Sequence, residues 1–508
     1  MRSWWMRWGV LLFVFLALPP ENARALTDEE IFRDFRFNFI SPGARAMGLG
    51  GAFIAAADDA TAAQANPAAL HYVNKNEFFL EYREVQPKSD VFTPSQTFGD
   101  ISDPDGATLP FLRLQAVTNT QDNSLPTFAS FVFPFKMGNR RAAFAVSRQV
   151  VLDVQNSLSD DSQNLATDLQ FSISDFPIWV NPNPADPLNP VERYTVGNTV
   201  NGGMRAELAH YNLGLSYSFL ADFSLGVTAT LATLDMSSNV VSTSQDPRGI
   251  LTSSNPRIDT EGVLSDIQTR TFIDDTDRAL TYTIGLHWHP DKAFFSGYSP
   301  LRFGVVYRKG ARLSVTETRT ELDADTDQFV LNQPPFQNVL RVPDRFGVGV
   351  SYALGQHWTF AFDAERIAYS DLLEDYRPGV NFFTSGLIPA TFLNINAGDL
   401  KFDVDDATVL HGGAEFFFGG RGGWRYAFRG GYYNAPDNRI RLTDVNSGNA
   451  EIDGLFKDVF RGGRDLSHYT GGISINTPAG IQMQLAGDFA DSGNEYLVSA
   501  IYRYGKIR

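Results

Sequence analysis

Two groups of side chains have the types and spacing of metal ligands. His287 and His289 lie two residues apart, so a β-strand would place both imidazoles on one face. No third ligand is evident in the sequence, and a solvated pair is favoured. Asp323, Asp325 and Asp327 resemble the start of a calcium loop, which needs Gly at its sixth position and Glu at its twelfth. This chain has Gln and Pro there, so a solvated acidic loop is favoured. We predict neither a metal nor a cofactor.

Four arginines are candidates for binding an anionic substrate group. They form two pairs on strand-like segments, each opposite a row of apolar side chains: Arg302 with Arg308, and Arg425 with Arg429. If the apolar rows face lipid, the arginines point into an interior, where a guanidinium can clamp a carboxylate with two hydrogen bonds. The alternative is a structural network with interior acids such as Asp363 and Glu365. The sequence leaves both open and favours the network.

A glycine-rich segment, Gly48-Leu49-Gly50-Gly51, hints at a phosphate-binding loop. It follows no predicted strand and lacks the sixth-position glycine of a dinucleotide fingerprint. No GxSxG nucleophile elbow is present. No nucleophile stands beside a base, and the sequence therefore does not favour an enzyme.

Composition narrows the class of protein further. The chain has 508 residues and a formal net charge of -16, which argues against nucleic acid as a partner, because phosphate binding needs a basic surface. Cysteine is absent, which excludes disulfides, thiolate zinc sites and cysteine catalysis. The 41 Phe, 18 Tyr and 43 Gly favour many aromatic-rich strands over a helical bundle.

The N-terminus has the three parts of a secretory signal. Arg2 and Arg7 form a charged region, residues 9–18 are apolar, and Ala23-Arg24-Ala25 is a small-x-small cleavage site. We expect residues 1–25 to be a signal peptide. The alternative is an uncleaved anchor, but the apolar run is too short for about 30 Å of hydrocarbon.

Residues 26–75 differ from the rest of the chain, since alanine makes up 12 of the 27 residues from 44 to 70. Asp58 or Asp59 can cap a short helix over residues 60–65. Asn66 can cap a second helix that begins at Pro67, because proline suits the first turn. This region is expected to be a compact set of short helices.

From residue 77 onward apolar side chains alternate with small or polar ones, which predicts strands with one apolar face. We therefore expect Leu215, Phe303 and Phe360 to face lipid, and Gly304 on the other face to tolerate substitution better. The fourteen predicted strands are 77–86, 127–135, 142–153, 207–219, 223–235, 278–289, 300–312, 342–354, 357–369, 407–418, 424–434, 467–476, 481–490 and 495–505.

The connections between these strands alternate between short turns and long loops. That pattern is typical of outer-membrane barrels, whose short turns are periplasmic. The periodicity also fits a secreted β-sandwich, but a sandwich has no reason to place its short and long connections at opposite ends. Residues 110–117 look like a strand but would make the count odd, so we assign them to the first long loop. The fold class predicted is an all-β, 14-stranded antiparallel transmembrane β-barrel (residues 76–508) in the outer membrane of a Gram-negative-type bacterium.

The segment from Ser41 to Leu70 resembles the N-terminal hatch of the FadL/TodX family of outer-membrane transporters for long-chain fatty acids and aromatic hydrocarbons. Its GLGGAF, ADDATA and NPAAL pieces keep the family's order and spacing. The strand pairs at 280–310 and 343–372 also resemble family members. The resemblance implies a barrel with a small N-terminal helical hatch (26–75) in its lumen, and assigns these residues to the hatch motif: Gly48, Gly50, Gly51, Asp58, Asp59, Asn66, Pro67 and Ala68.

The resemblance also implies a mechanism and partners. Hydrophobic substrate would bind in the lumen, the hatch would rearrange, and substrate would leave through the wall near a kinked third strand. Residues 142–154 contain neither Gly nor Pro, so the kink cannot be placed from the sequence. Expected partners are outer-membrane lipid and lipopolysaccharide, the barrel-assembly machinery and a hydrophobic small molecule, and the barrel is expected to be a monomer. The alternative function is a structural or shuttle component of a protein-secretion system, a role that some FadL-like barrels serve.

Overall fold

The computed structural model describes most of the chain after residue 36. The described residues are 37–102, 108–120, 123–157, 173–180, 192–245, 267–290, 300–322, 328–331, 334–374, 401–444, 453, 457 and 462–505. The predicted signal peptide and the aspartates at 323–327 lie outside them.

Nearly all of the regular structure is antiparallel β-sheet. The strands are β1 (Asn76–Ser102), β2 (Thr108–Thr120), β3 (Asn123–Met137), β4 (Arg140–Ser157), β5 (Ile173–Val180), β6 (Glu192–Tyr217), β7 (Phe223–Gln245), β8 (Ile267–Trp288), β9 (Leu301–Arg308), β10 (Arg312–Leu322), β11 (Phe329–Leu331), β12 (Phe336–Arg341), β13 (Arg345–Leu354), β14 (Trp358–Ile367), β15 (Lys401–Asp403), β16 (Ala407–Gly419), β17 (Arg425–Ala435), β18 (Arg441–Asp444), β19 (Leu466–Asn476), β20 (Ile481–Ala490) and β21 (Gly493–Tyr504).

The sheet closes on itself as a barrel of fourteen wall strands, which confirms the predicted fold class. The last strand pairs with the first, from Asn76 opposite Tyr504 to Pro87 opposite Gly493. The wall strands in order are β1, β3, β4, β6, β7, β8, β9 with β10, β12 with β13, β14, β16, β17, β19, β20 and β21. Because the barrel is closed, its first and last strands pair with each other, and their backbone N–H and C=O groups are hydrogen-bonded without water.

The two faces of the wall are as the alternation predicts. On β6, Leu213 and Leu215 point outward with 54% and 51% of their surface exposed, while Ser216 is fully buried inside. Large apolar side chains cover the outside of the other wall strands in the same way, among them Phe346, Phe362 and Phe428. An outward apolar band of this kind suits contact with lipid.

Several strands are longer than the alternation predicts. β6, β7 and β8 continue well past the predicted ends, so parts of the long connections are themselves sheet. Residues 110–117 lie in β2, which pairs with the distal half of β1 and not with the neighbouring wall strands. The assignment of this segment to the first long connection holds, but the segment is a strand and not an irregular loop.

The described part of the predicted hatch, residues 37–75, lies inside the barrel near its short-turn end. These residues form α1 (Ala44–Gly48), α2 (Ala62–Ala65) and a 3₁₀ helix (Pro67–Tyr72). Further 3₁₀ turns occur at Tyr369–Leu373 and Arg421–Gly423. Helix α1 packs on β17, β19, β20 and β21, and the 3₁₀ helix packs on β4, β6, β7 and β8, so the hatch reaches opposite sides of the wall. Among the described residues, no helix has the length and apolarity needed to cross a membrane.

Candidate functional site: the hatch and the apolar tier

Ion pairs join the hatch to the wall on one side. Arg45 of α1 donates hydrogen bonds of 2.9–3.1 Å to the carboxylate of Glu415 on β16 and also pairs with Asp58. Arg429 on β17 donates to the same Glu415 carboxylate at 2.6 Å. Both Glu415 and Arg429 have fully buried side chains. A charge buried this deeply needs a partner, so the network opposes movement of α1.

A second arginine holds the same part of the hatch from β9. Arg302 donates to Asp58 at 3.2 Å, and its guanidinium lies 4.7 Å from the ring centre of Tyr72. Burial disfavours the ionised form of Asp58, but the guanidinium groups of Arg45 and Arg302 outweigh it and lower the pKa of Asp58 to about 2. This carboxylate is therefore ionised throughout the physiological pH range.

The two remaining arginine candidates differ in position. Arg308 forms an ion pair inside the barrel, whereas Arg425 lies at the rim. Arg308 donates to Glu365 at 2.9 Å and to the carbonyl of Gln64 in the hatch at 3.3 Å. Arg425, at the start of β17, is exposed beside the short turn. The guanidinium groups of Arg302, Arg308 and Arg429 are thus engaged by carboxylates, which favours the structural network over a clamp for substrate.

The glycine-rich segment is a packing turn against the wall. Gly50 and Gly51 have φ of 65° and 81°, a conformation that L side chains rarely adopt. The Gly50 carbonyl oxygen lies 2.7 Å from Nδ1 of His411, and the Gly50 N–H donates to the hydroxyl of Thr470 at 3.0 Å. A Cβ on Gly50 would come within 2.6 Å of the backbone of Tyr432. The positive φ angles, with close approach to the Tyr432 backbone at Gly50 and to the His411 ring at Gly51, explain these glycines, and no phosphate-binding role is needed.

Wall carboxylates satisfy hatch N–H groups that have no helical partner. Asp363 accepts from the N–H groups of Phe53 and Ile54 at 2.5 and 2.7 Å. Glu77 accepts from Ala60 at 2.9 Å. Buried backbone groups need such partners, so the wall completes the hydrogen bonding of the hatch.

Asn66 caps the 3₁₀ helix as the sequence predicts. Its Oδ1 accepts from the N–H of Ala68 at 3.1 Å, and its Nδ2 donates to the carbonyls of Ile54 and Leu286 at 3.2 Å. The helix predicted over 60–65 instead begins at Ala62. Asp59 accepts from the Thr61 N–H at 3.0 Å, which forms the turn before the helix rather than its cap.

The wall carries small residues where the hatch backbone approaches it. The Ala68 carbonyl accepts from the hydroxyls of Ser216 and Ser224 at 3.1 and 3.0 Å. Cβ atoms at Gly226 and Gly304 would come within 2.2 and 2.6 Å of hatch backbone atoms. The expectation that Gly304 tolerates substitution is wrong, because the carbonyl of Ile54 occupies the space a side chain would need.

The histidine pair lies at the short-turn end of β8. Nε2 of His287 lies 3.1 Å from the carbonyl of Ala55, and Nδ1 lies 3.3 Å from the Tyr72 hydroxyl, so hatch groups occupy both nitrogens. Burial lowers the pKa of the neighbouring His71 to about 4, which keeps that imidazole neutral. Over the described part of the chain, no three His, Asp or Glu side chains are arranged to hold a metal.

Beyond the hatch, toward the long connections, the interior becomes apolar. We call this region the apolar tier. Its buried members come from six wall strands and the breaks beside them: Val151, Leu152, Ala206, Leu208, Ala232, Leu234, Met236, Ile273, Ala311, Leu313, Val315, Leu340 and Val342. Phe37 and Phe39 of the hatch stack on each other at 5.2 Å and pack against it. The Arg345 guanidinium lies 4.2 Å from the ring centre of Phe39 and donates a hydrogen bond to the backbone carbonyl of Phe39.

The apolar tier was not predicted from the sequence, although the inward-facing positions carry a signal for it. On β6 and β7 the inward positions near the short turns are polar or small, such as Asn212 and Thr228. Farther along the same faces they become Leu208, Leu234 and Met236. Apolar residues on both faces of a strand segment predict an apolar interior at that level.

The third wall strand, β4, is irregular where the apolar tier begins. Its pairing with β6 shifts between Val150 and Leu152, so Val151 is an extra residue in the strand, a β-bulge. Its pairing with β3 ends at Gln149 opposite Phe128, and beyond that point the described residues of β4 pair with β6 alone. The Val151 carbonyl accepts instead from the N–H of Asn38 in the hatch at 2.7 Å.

Comparison with solved structures identifies the fold. The chain is similar to a FadL homologue of Pseudomonas aeruginosa, with a TM-score of 0.53 and 12% identity, covering 91% of this chain and 98% of that one. It is also similar to the CymD monoaromatic hydrocarbon channel, with a TM-score of 0.50 and 13% identity over 93% and 100% of the two chains. No protein-family model matches the sequence, and no curated protein matches it. The likeness establishes a FadL-like fold.

Proposed function

We propose that this protein is an outer-membrane transporter of the FadL/TodX family that takes up hydrophobic molecules such as long-chain fatty acids or aromatic hydrocarbons. The observation that carries the proposal is the apolar tier, a buried apolar surface inside a closed barrel whose hatch fills the short-turn end. An apolar interior favours an apolar ligand, because binding removes apolar surface from water. The CymD channel, which shares the fold, is a channel for monoaromatic hydrocarbons.

Release through the wall at the third strand is the route that the geometry supports. The bulge at Val151 and the end of the β3–β4 ladder leave the carbonyl of Val151 bonded to the hatch and not to a neighbouring strand. Phe37 and Phe39 lie in the apolar tier, next in sequence to Asn38. A ligand that displaces these rings would therefore also loosen the hydrogen bond between Asn38 of the hatch and Val151 of the wall.

The alternation of long and short connections supports a proposed membrane orientation. Long connections face the outside and short turns face the periplasm, as in other outer-membrane barrels. We propose a monomer that contacts membrane lipid and lipopolysaccharide and is inserted by the barrel-assembly machinery, after export directed by residues 1–25.

Ligand binding by a matched pair of variants tests the proposal. Met236→Gln places an amide in the apolar tier, where Met236 is 2% exposed, whereas Met483→Gln makes the same change on the outside, where Met483 is 59% exposed. An unpaired buried amide costs about 1–3 kcal/mol, so Met236→Gln is expected to weaken binding of a labelled fatty acid or alkylbenzene about tenfold. Met483→Gln should bind like the parent. Equal affinity in both variants, or no binding by the parent, would contradict the proposal.

A further inference from the structure

The wall contains a second irregularity, between the sixth wall strand, β8, and the seventh, β9 with β10. β8 pairs with β9 as far as Thr283 opposite Arg308, and with β10 from Ile273 opposite Glu317 onward. The two ladders differ by one residue in register. Between them, residues 274–282 of β8 face residues 309–316 without a regular backbone ladder; we call this stretch the seam.

Side chains of β8 close the seam. Asp277 accepts from the N–H of Ser314 at 2.7 Å, and Asp275 accepts from the N–H of Thr316 at 2.8 Å. The hydroxyl of Thr281 donates to the carbonyl of Lys309. One backbone bond, from the N–H of Lys309 to the carbonyl of Tyr282 at 3.0 Å, marks the lower end of the seam. Along the seam, carboxylates thus take the places that backbone carbonyls occupy in a regular sheet.

The strand beyond the seam is held on its other edge. Asp344 accepts from the N–H of Gly310 at 2.8 Å, from Lys309 at 2.9 Å and from the Tyr307 hydroxyl at 2.7 Å. β10 also keeps a continuous backbone ladder with β12. Breaking the side-chain bonds of the seam would therefore free the edge of residues 309–316 that faces β8. Residues 312–317 would stay paired with β12, and β10 would stay paired with β8 from Glu317 onward.

The seam has apolar surface on both sides. Inside, Ala311, Leu313 and Val315 border it from the seventh strand and Ile273 borders it from β8, and all four belong to the apolar tier. Outside, Leu280 is 83% exposed, the highest value among the large apolar side chains of the described wall. Tyr282 and Arg278 flank Leu280 on the outward face, the residue types found where a barrel meets the lipid headgroups.

We propose that the seam is a side entrance, through which an apolar molecule passes from the outer edge of the membrane directly into the apolar tier. The ligand class is a hydrocarbon or an alkyl chain, because the surfaces at both mouths are apolar. The proposal rests on the proposed transport function, but it concerns a site separate from the bulge at Val151, on a different pair of strands. Asp275, Asp277 and Thr281 are the closing residues.

A reversible disulfide across the seam tests this proposal. The chain has no cysteine, so Asp277→Cys with Ser314→Cys introduces one possible pair, at two positions already in contact across the seam. The matched control is Ile473→Cys with Leu485→Cys, which are directly opposite each other on the lipid face of β19 and β20. Uptake of labelled hexadecane by intact cells is measured after oxidation and again after reduction, with bond formation followed by thiol labelling.

Oxidation of the seam pair is expected to reduce uptake to near the level of cells without the barrel, and reduction is expected to restore it. The control pair should show the same uptake in both states. Unchanged uptake with the seam disulfide formed would overturn the side entrance and leave the transport function intact.

A second measurement is independent of transport. A photoreactive alkane added to vesicles that contain the reduced seam variant should label residues 274–282, and oxidation should decrease that labelling. Labelling that is absent, or that does not change on oxidation, would overturn the side entrance even if no uptake is measurable. Failure of uptake in the parent would instead count against the transport function itself.

Discussion

The ion pair between Arg45 and Glu415 is expected to control how often the hatch moves out of its position against the wall; we call such a hatch unseated. Arg45→Met keeps the length of the side chain but removes its hydrogen bonds to Glu415 and its contact with Asp58. Breaking a buried ion pair from one side costs about 3–5 kcal/mol. The side chain of Arg45 is 11% exposed, and Glu415 still has Arg429 as an ion-pair partner after the substitution. We therefore expect a cost at the lower end of this range, about 3 kcal/mol.

This free energy corresponds to a rise of roughly a hundredfold in the population of barrels with an unseated hatch, since about 1.4 kcal/mol is a factor of ten. Conductance in planar bilayers reports that population, because an unseated hatch opens an aqueous path. A barrel that lacks residues 26–70 supplies the fully open reference. Brief openings of the Arg45→Met protein should approach the conductance of this reference.

The control is the same substitution in an exposed ion pair. Arg366 pairs with Asp406 at the surface, with 54% of its side chain exposed, so Arg366→Met should cost no more than about 1 kcal/mol and leave conductance unchanged. If Arg45→Met and Arg366→Met conduct alike, the ion pair does not hold the hatch. If the truncated barrel conducts no more than the full-length protein, residues 26–70 do not act as a plug.

Three further results are expected. Leu215→Arg, on the lipid face, should impair insertion by about 2–4 kcal/mol, measured by the urea dependence of folding into vesicles; a smaller cost than that of an arginine at an inward position would contradict the assignment of faces. Gly304→Ala should unseat the hatch, because its Cβ would lie 2.6 Å from the carbonyl of Ile54, whereas Gly430→Ala meets no atom within 4 Å; equal hatch protection from protease in the two variants would refute this. The hatch should loosen as the pH falls from about 4 to about 2, since the pKa of Asp58 is lowered from its ordinary 3.8 to about 2, and the stability this gives is present above the ordinary pKa and lost as Asp58 is protonated; conductance that is unchanged in acid would argue against it.

The strands were predictable because each wall strand repeats one simple pattern. Leu213 and Leu215 alternate with Gly214 and Ser216, and such alternation over about ten residues fixes both the strand and its faces. The cap by Asn66 was predictable for a similar reason, since it depends on residues next to it in the chain.

The irregular parts of the wall were not predictable in this way. The bulge at Val151 contains neither Gly nor Pro, and it is visible only from the register of β4 against β6. The closing roles of Asp275 and Asp277 depend on N–H groups about forty residues away. Contacts between distant segments carry no local sequence pattern, so these features required the structure.

Uptake of a hydrophobic substrate by whole cells is the decisive measurement for the proposed transport function. Cells with an outer membrane that lack other barrels of this fold are given labelled oleate and labelled toluene, with and without this protein. We expect uptake of at least one of them above the barrel-free background, saturable with concentration and reduced by Met236→Gln. A correctly folded barrel in the outer membrane that leaves uptake of both at background would contradict the transport function.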